Sequence, residues 1–189
     1  MKTLIINGSP RKNGDSMTLV NEIIKHLDGE VKIVNTYFDD IAPCNDCRYC
    51  WTNYGCSIND EMQEVYRLLN EVDNVILASP LYFSELTGKL LSFSSRLQIY
   101  YTVKKMQKKV DFRLNKKNAV LVITGGGNGG PAPAIERAKI IFGLVNAKLV
   151  GTVLSLKTDT LPAGKHIEAM KQAREFAQML NLQSEKCLK

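Results

Sequence analysis

The residues best equipped for chemistry fall in two short stretches. The first is Asn7-Gly8-Ser9-Pro10-Arg11-Lys12-Asn13-Gly14-Asp15-Ser16-Met17-Thr18, which sets the hydroxyls of Ser9, Ser16 and Thr18 and the guanidinium of Arg11 on a backbone bent by two glycines and a proline. It follows the apolar run Thr3 to Ile6 and opens a helical pattern, so the first helical amides point back at the turn. Hydroxyls, a forked cation and free helix amides are the equipment for a phosphate. A plain turn also uses Gly, Pro, Asn and Ser, but it needs neither a cluster of hydroxyls nor a guanidinium, and the phosphate reading is preferred.

The second stretch is Cys44, Cys47, Cys50 and Cys56, spaced C-x2-C-x2-C-x5-C; Cys187 stands apart in a polar tail. Successive two-residue gaps resemble the compact loops that wrap a cubane iron–sulfur (4Fe-4S) cluster, whereas structural zinc divides its ligands into two distant pairs. A reduced thiol loop that folds over a crevice and binds no metal explains the same residues. Zinc and a redox disulfide remain further alternatives.

The elements that must position these groups repeat a single unit. Apolar runs at Thr3 to Ile6, Val31 to Val34, Asn74 to Ala78, Asn118 to Ile123 and Ala147 to Leu154 suit parallel strands covered on both faces. Helical patterns lie between them: Leu19, Val20, Ile23, Ile24 and Leu27; Met62, Val65, Leu68 and Leu69; Leu90, Leu91, Phe93 and Leu97; Ile135, Ala138, Ile141 and Phe142. A closing helix places Ile167, Met170, Ala173, Ala177 and Leu180 on one side. This alternation predicts an α/β doubly wound, five-stranded parallel sheet in three α/β/α layers, with the ligand at the switch point, which for the flavodoxin-like order 2-1-3-4-5 lies between strands one and three. The chain is expected to form a single domain over 1–189, with the cysteine loop 43–60 inserted after strand two.

Two more loops would converge on that switch point. Ser79-Pro80-Leu81-Tyr82-Phe83-Ser84-Glu85-Leu86-Thr87-Gly88 follows strand three, where Pro80 stiffens the loop, Tyr82 and Phe83 offer ring faces and Ser84 meets polar ring atoms. Thr124-Gly125-Gly126-Gly127-Asn128-Gly129-Gly130 follows strand four, and its glycines let the backbone approach a ring edge. A phosphate at one end and a flat ring at the other describe flavin mononucleotide, FMN. The glycine loop also matches G-x-G-x-x-G, but no acidic residue precedes Asp159 after the next strand, so a dinucleotide fingerprint is not supported.

Composition narrows the alternatives. Net charge is +6 at pH 7, with Lys104, Lys105, Lys108, Lys109, Arg113, Lys116 and Lys117 crowded together. That stretch reads as a solvated face, or as a surface for an anionic partner. It lacks aromatic interleaving, which argues against nucleic acid. No apolar run approaches a membrane span and no signal peptide follows Met1-Lys2, so a cytoplasmic address without membrane contact is expected. His26 and His166 read as solvated surface. Tyr100 and Tyr101 either cover a ligand or pack. A phospho-acceptor receiver domain would need acidic residues where Asn7-Gly8-Ser9 and Ala78-Ser79 stand.

GSPRKNGDS, SPLYFSELTGKL and TGGGNGG together resemble the signatures of the flavodoxin-like NAD(P)H-dependent FMN reductases and their relatives, the iron–sulfur flavoproteins. The resemblance implies that Ser9, Arg11, Ser16, Met17 and Thr18 hold the phosphate. Pro80, Leu81, Tyr82, Phe83 and Ser84 would meet one side of the flavin, and Thr124, Gly125, Gly126 and Gly127 its other edge. Cys44, Cys47, Cys50 and Cys56 match the iron–sulfur branch, although relatives with similar loops do not all carry clusters. Asp15 departs from the Asn often found there, and its carboxylate should sit away from the phosphate or cap the following helix with Ser16. The expected activity is an FMN-dependent oxidoreductase with NAD(P)H as co-substrate, no catalytic side chain, and a flavin, quinone, azo or nitro acceptor. The alternative is an electron carrier between redox proteins. Family members are commonly homodimers or homotetramers, and the same is expected here.

Overall fold

A computed structural model describes residues 1–107 and 114–186 of the chain. Lys108, Lys109, Arg113 and Cys187, named above, lie outside the described residues.

Each apolar run becomes a strand: β1 (Lys2–Asn7), β2 (Glu30–Asn35), β3 (Asn74–Pro80), β4 (Lys117–Gly125) and β5 (Ala147–Leu156). They form one sheet of order β2-β1-β3-β4-β5, parallel throughout. The chain turns to β2 on one side of β1 and then to β3 on the other, so the switch point lies between β1 and β3.

Alternation along the strands divides the core into two layers. Leu4 and Ile6, Val75 and Leu77, and Ala119, Leu121 and Ile123 pack on one face with helices α3 (Met62–Glu71), α4 (Gly88–Ser95), α5 (Gln98–Lys105) and α6 (Ala132–Leu144). Ile5, Ile76, Ala78, Val120, Val122 and Val153 pack on the other face with α1 (Asp15–Lys25) and α7 (Ile167–Lys186). The edge strands β2 and β5 are only half covered, which explains their more mixed composition. A four-residue helix, α2 (Tyr49–Thr52), lies in the cysteine loop, and a 3-10 turn, Ala163–Lys165, precedes α7.

Several expectations need correction. The helix read from Leu90 to Leu97 ends at Ser95, and a separate α5 follows it. Ile167 is exposed rather than inward, because the buried stripe of α7 runs through Ala169, Ala173, Ala177 and Leu180. Tyr100 is buried edge-on against Tyr66, with ring centres 6.2 Å apart, whereas Tyr101 is exposed. Lys104, Lys105 and Lys116 are solvated, but Lys117 is buried at the start of β4 with its Nζ 2.7 Å from the Asn115 carbonyl. His166 is half-buried, its Nδ1 2.9 Å from the buried Ser155 hydroxyl, so it is not simple surface. His26 is exposed as expected, 3.6 Å from Glu22.

Candidate functional site

The turn after β1 is held on three sides. Buried Asn7 donates from Nδ2 to Asn35 at 3.0 Å and accepts the Ser9 amide on Oδ1 at 3.0 Å. The Gly8 amide donates to the Ala78 carbonyl at 2.7 Å, and the Gly8 carbonyl accepts the Thr87 hydroxyl at 2.8 Å. A Cβ on Gly8 would lie 2.9 Å from Leu90 Cβ, so only glycine lets the turn approach α4 this closely.

The hydroxyls expected to hold a phosphate all have partners within the chain. Ser9 Oγ lies 3.2 Å from both the amide and the carbonyl of Arg11, and Thr18 Oγ1 donates to the Gly14 carbonyl at 3.2 Å. Ser16 Oγ is 2.8 Å from Thr124 Oγ1, and this buried pair joins the first loop to the third. The Gly14 cap makes no side-chain bond, so α1 opens with the amides of Asp15, Ser16 and Met17 uncapped, as an anion requires. Arg11 stays largely exposed with Nη2 3.1 Å from Asp15. The Asp15 carboxylate does not cap α1; its other oxygen accepts the Ala163 amide at 2.9 Å and ties the turn to the 3-10 segment.

The second loop leaves β3 alongside the third: the Leu81 amide donates to the Thr124 carbonyl at 2.7 Å. Tyr82 and Glu85 then exchange main-chain bonds at 3.0 Å across a tight turn whose centre, Phe83 and Ser84, has φ of 55° and 65°. Left-handed backbone at a bulky residue is costly. The Phe83 side chain is fully exposed and that of Tyr82 about half exposed. In the third loop, Thr124 and Gly125 are buried, Gly126 is half-buried and Gly127 exposed. The loop is held from a segment that sequence reasoning missed. Thr158 and Lys157 amides donate to the Gly125 and Gly127 carbonyls at 2.9 and 3.0 Å, and a Cβ on Gly126 would overlap the Asp159 carboxylate. Only the lone acid after β5 hinted at that segment.

Cys44, Cys47, Cys50 and Cys56 all line one cavity of about 340 Å³, together with Tyr49, Trp51, Ile99, Tyr101 and Arg96. All four are free thiols. Cys47 Sγ lies 3.2 Å from the Ser57 hydroxyl, a contact that holds its thiol pKa below the usual range. Four sulfur donors around one space suit a cubane cluster in number and chemistry. Among the described residues, however, no three ligand-type side chains are gathered at metal-holding distance. The loop thus supplies donors and room without a closed coordination geometry. Sequence reasoning missed Arg96, whose buried guanidinium lies 2.6 Å from the Asp60 carboxylate, because that partner stands on a distant loop.

The profile of the family described as NADPH-dependent FMN reductase matches residues 1–160. Over 168 residues the chain is 28% identical to an iron-sulfur flavoprotein of Archaeoglobus fulgidus, covering 87% of this chain and 80% of that one. Among solved structures, the NAD(P)H:quinone oxidoreductase of Methanothermobacter marburgensis shares the fold at a TM-score of 0.68 and 14% identity, over 94% of this chain and 95% of that one. An FMN-dependent NADH-azoreductase of Bacillus anthracis, solved with FMN, superposes at a TM-score of 0.60 and 17% identity, over 96% of this chain and 100% of that one.

Proposed function

The chain belongs to the NADPH-dependent FMN reductase family, and from that premise we propose that it moves electrons from NADH or NADPH through FMN to a small acceptor such as a flavin or quinone. One observation carries the proposal. The loops after β1, β3 and β4 leave neighbouring parallel strands at the same end of the sheet, beside the uncapped start of α1.

FMN, when bound, supplies the hydride and electron chemistry. The amides of Asp15, Ser16 and Met17, with Arg11, hold its phosphate, and Ser9 and Thr18 keep the turn in shape. Ser16 and Thr124 lock the first loop to the third. Pro80 to Ser84 and Thr124 to Gly127 border the ring, the glycines admitting its edge without a side-chain collision. No side chain is required as acid or base; the protein orients donor and acceptor in turn on one open face, which gives ping-pong kinetics. Anaerobic stopped-flow mixing of FMN-loaded protein with each nicotinamide tests this reading. Rapid bleaching of the flavin band is expected, and no bleaching with either would refute it.

A second reading is favoured by the cavity that all four cysteines line. In it Cys44, Cys47, Cys50 and Cys56 hold a 4Fe-4S cluster, which supplies one-electron transfer to a redox protein. Iron and sulfide analysis after anaerobic reconstitution tests it, with four of each per chain expected. Stoichiometric flavin without iron would eliminate it.

A further inference from the structure

The phosphate turn carries an anion of its own. Asp15 opens α1, and both of its carboxylate oxygens are engaged: Oδ2 lies 3.1 Å from Arg11 Nη2, and Oδ1 accepts the Ala163 amide at 2.9 Å. The Arg11 side chain reaches Asp15 by folding across Gly14, so closely that a Cβ there would lie 3.0 Å from Arg11 Cβ and 3.1 Å from its Nε. The guanidinium therefore rests against the cap of α1, beside the free amides of Asp15, Ser16 and Met17. Lys12, the other cation of the turn, is placed elsewhere, with Nζ 5.0 Å from the centre of the Phe38 ring.

The two partners of the pair are held unequally. The Asp15 side chain is 17% exposed and fixed on the 3-10 segment, whereas that of Arg11 is 67% exposed. An ion pair with one solvated partner is weak and gives way to a better one. A phosphate seated on the α1 amides would bring its oxygens beside the same guanidinium, and a doubly charged phosphate attracts it more strongly than one carboxylate does. Arg11 thus has one fork and two anions to choose between.

We propose that Asp15 is the positioning residue of the phosphate end: in the free protein it holds Arg11 over the start of α1, and on binding it yields the guanidinium to the phosphate. This inference rests on the FMN reading given above. Because the pair must open, FMN binds less tightly than the amides and an unpaired guanidinium would allow. The carboxylate stays in place on the Ala163 amide throughout, and takes Arg11 back when the flavin leaves.

Fluorescence titration of the full-length apoprotein with FMN and with riboflavin, which has no phosphate, tests this. Asp15→Asn removes the charge but keeps an oxygen for the Ala163 amide. It should bind FMN about fivefold more tightly than wild type, the gain from releasing one ion pair, while the riboflavin Kd stays within about twofold. In the Arg11→Ala background the same change should move the FMN Kd by less than about twofold, since no guanidinium is left to release. An Asp15→Asn protein that binds FMN no more tightly than wild type overturns the proposal. An equal gain for riboflavin also overturns it, because the change would then lie in the shape of the loop. A full gain without Arg11 does so too, because the carboxylate would then act on the phosphate directly. Failure of the FMN reading looks different: wild-type protein binds neither flavin, and this inference goes with it. Should Asp15→Asn not fold, crystals of the wild-type protein with FMN decide the matter. Arg11 Nη2 is expected on the phosphate, and a complex that keeps the 3.1 Å pair with Asp15 overturns the proposal.

Discussion

Lys117 sits in the basic stretch, yet burial pulls its pKa down to about 8. The unfolded side chain titrates near ~10.4. Between those values the unfolded chain binds more protons than the folded one, so this group makes stability rise with pH across the window and opposes folding below it. Lys117→Met should stabilise the protein by about 1–3 kcal/mol at pH 7, and the gain should vanish near pH ~10.5. Urea unfolding at the two pH values checks this. Arg11 is the opposite case, a solvated guanidinium 3.1 Å from Asp15. Arg11→Ala should weaken FMN binding by about 1.5 kcal/mol, roughly tenfold in Kd by flavin-fluorescence titration. An unchanged Kd would remove Arg11 from the phosphate site and leave the α1 amides to hold the anion.

At the scale of elements, the informative pieces are the loops after β3 and β4, the first strained in its backbone and the second closely packed. Phe83 holds φ of 55° with its ring in solvent, so main-chain bonds across the turn, and not packing of its side chain, offset the strain. Phe83→Asn should raise stability by about 1 kcal/mol in chemical denaturation, because Asn tolerates left-handed backbone. If turnover falls as well, the ring has a role at the flavin. In the third loop, Asp159 rests where a Gly126 side chain would stand. Gly126→Ala should cost about 1–3 kcal/mol by overpacking, and Asp159→Gly in the same chain should restore most of it. A double-mutant cycle with a coupling below about 0.5 kcal/mol would mean that the two loops are independent.

At the scale of the whole molecule, one sheet carries two separate groups of loops. The loops proposed to hold the flavin gather at the ends of β1, β3 and β4, while the cysteine cavity lies between the loop after β2 and helices α4 and α5. Both groups expose aromatic rings: Tyr82 and Phe83 at the first, Tyr49, Trp51 and Tyr101 at the second. Such rings are common at interfaces. The protein is expected to be a homodimer or homotetramer by light scattering with FMN bound, and a monomer at micromolar concentration would contradict this. Among the described residues no helix is long and apolar enough to cross a membrane.

What the sequence determined by itself was local. Runs of Val, Ile and Leu between helical patterns dictate parallel strands, and the alternation of the two dictates a doubly wound sheet, because each signal repeats within a few residues; the order 2-1-3-4-5 is fixed by which strands pair across the sheet. The chemistry of the loops was equally plain, since Ser, Arg and Gly at a strand end are read where they stand. Only the tertiary structure decided what those groups meet. Ser16 finds Thr124, Arg96 finds Asp60, Gly126 finds Asp159, and Lys117 is buried at the start of β4. These partners are far apart in the chain, and no local pattern records that folding will place them side by side.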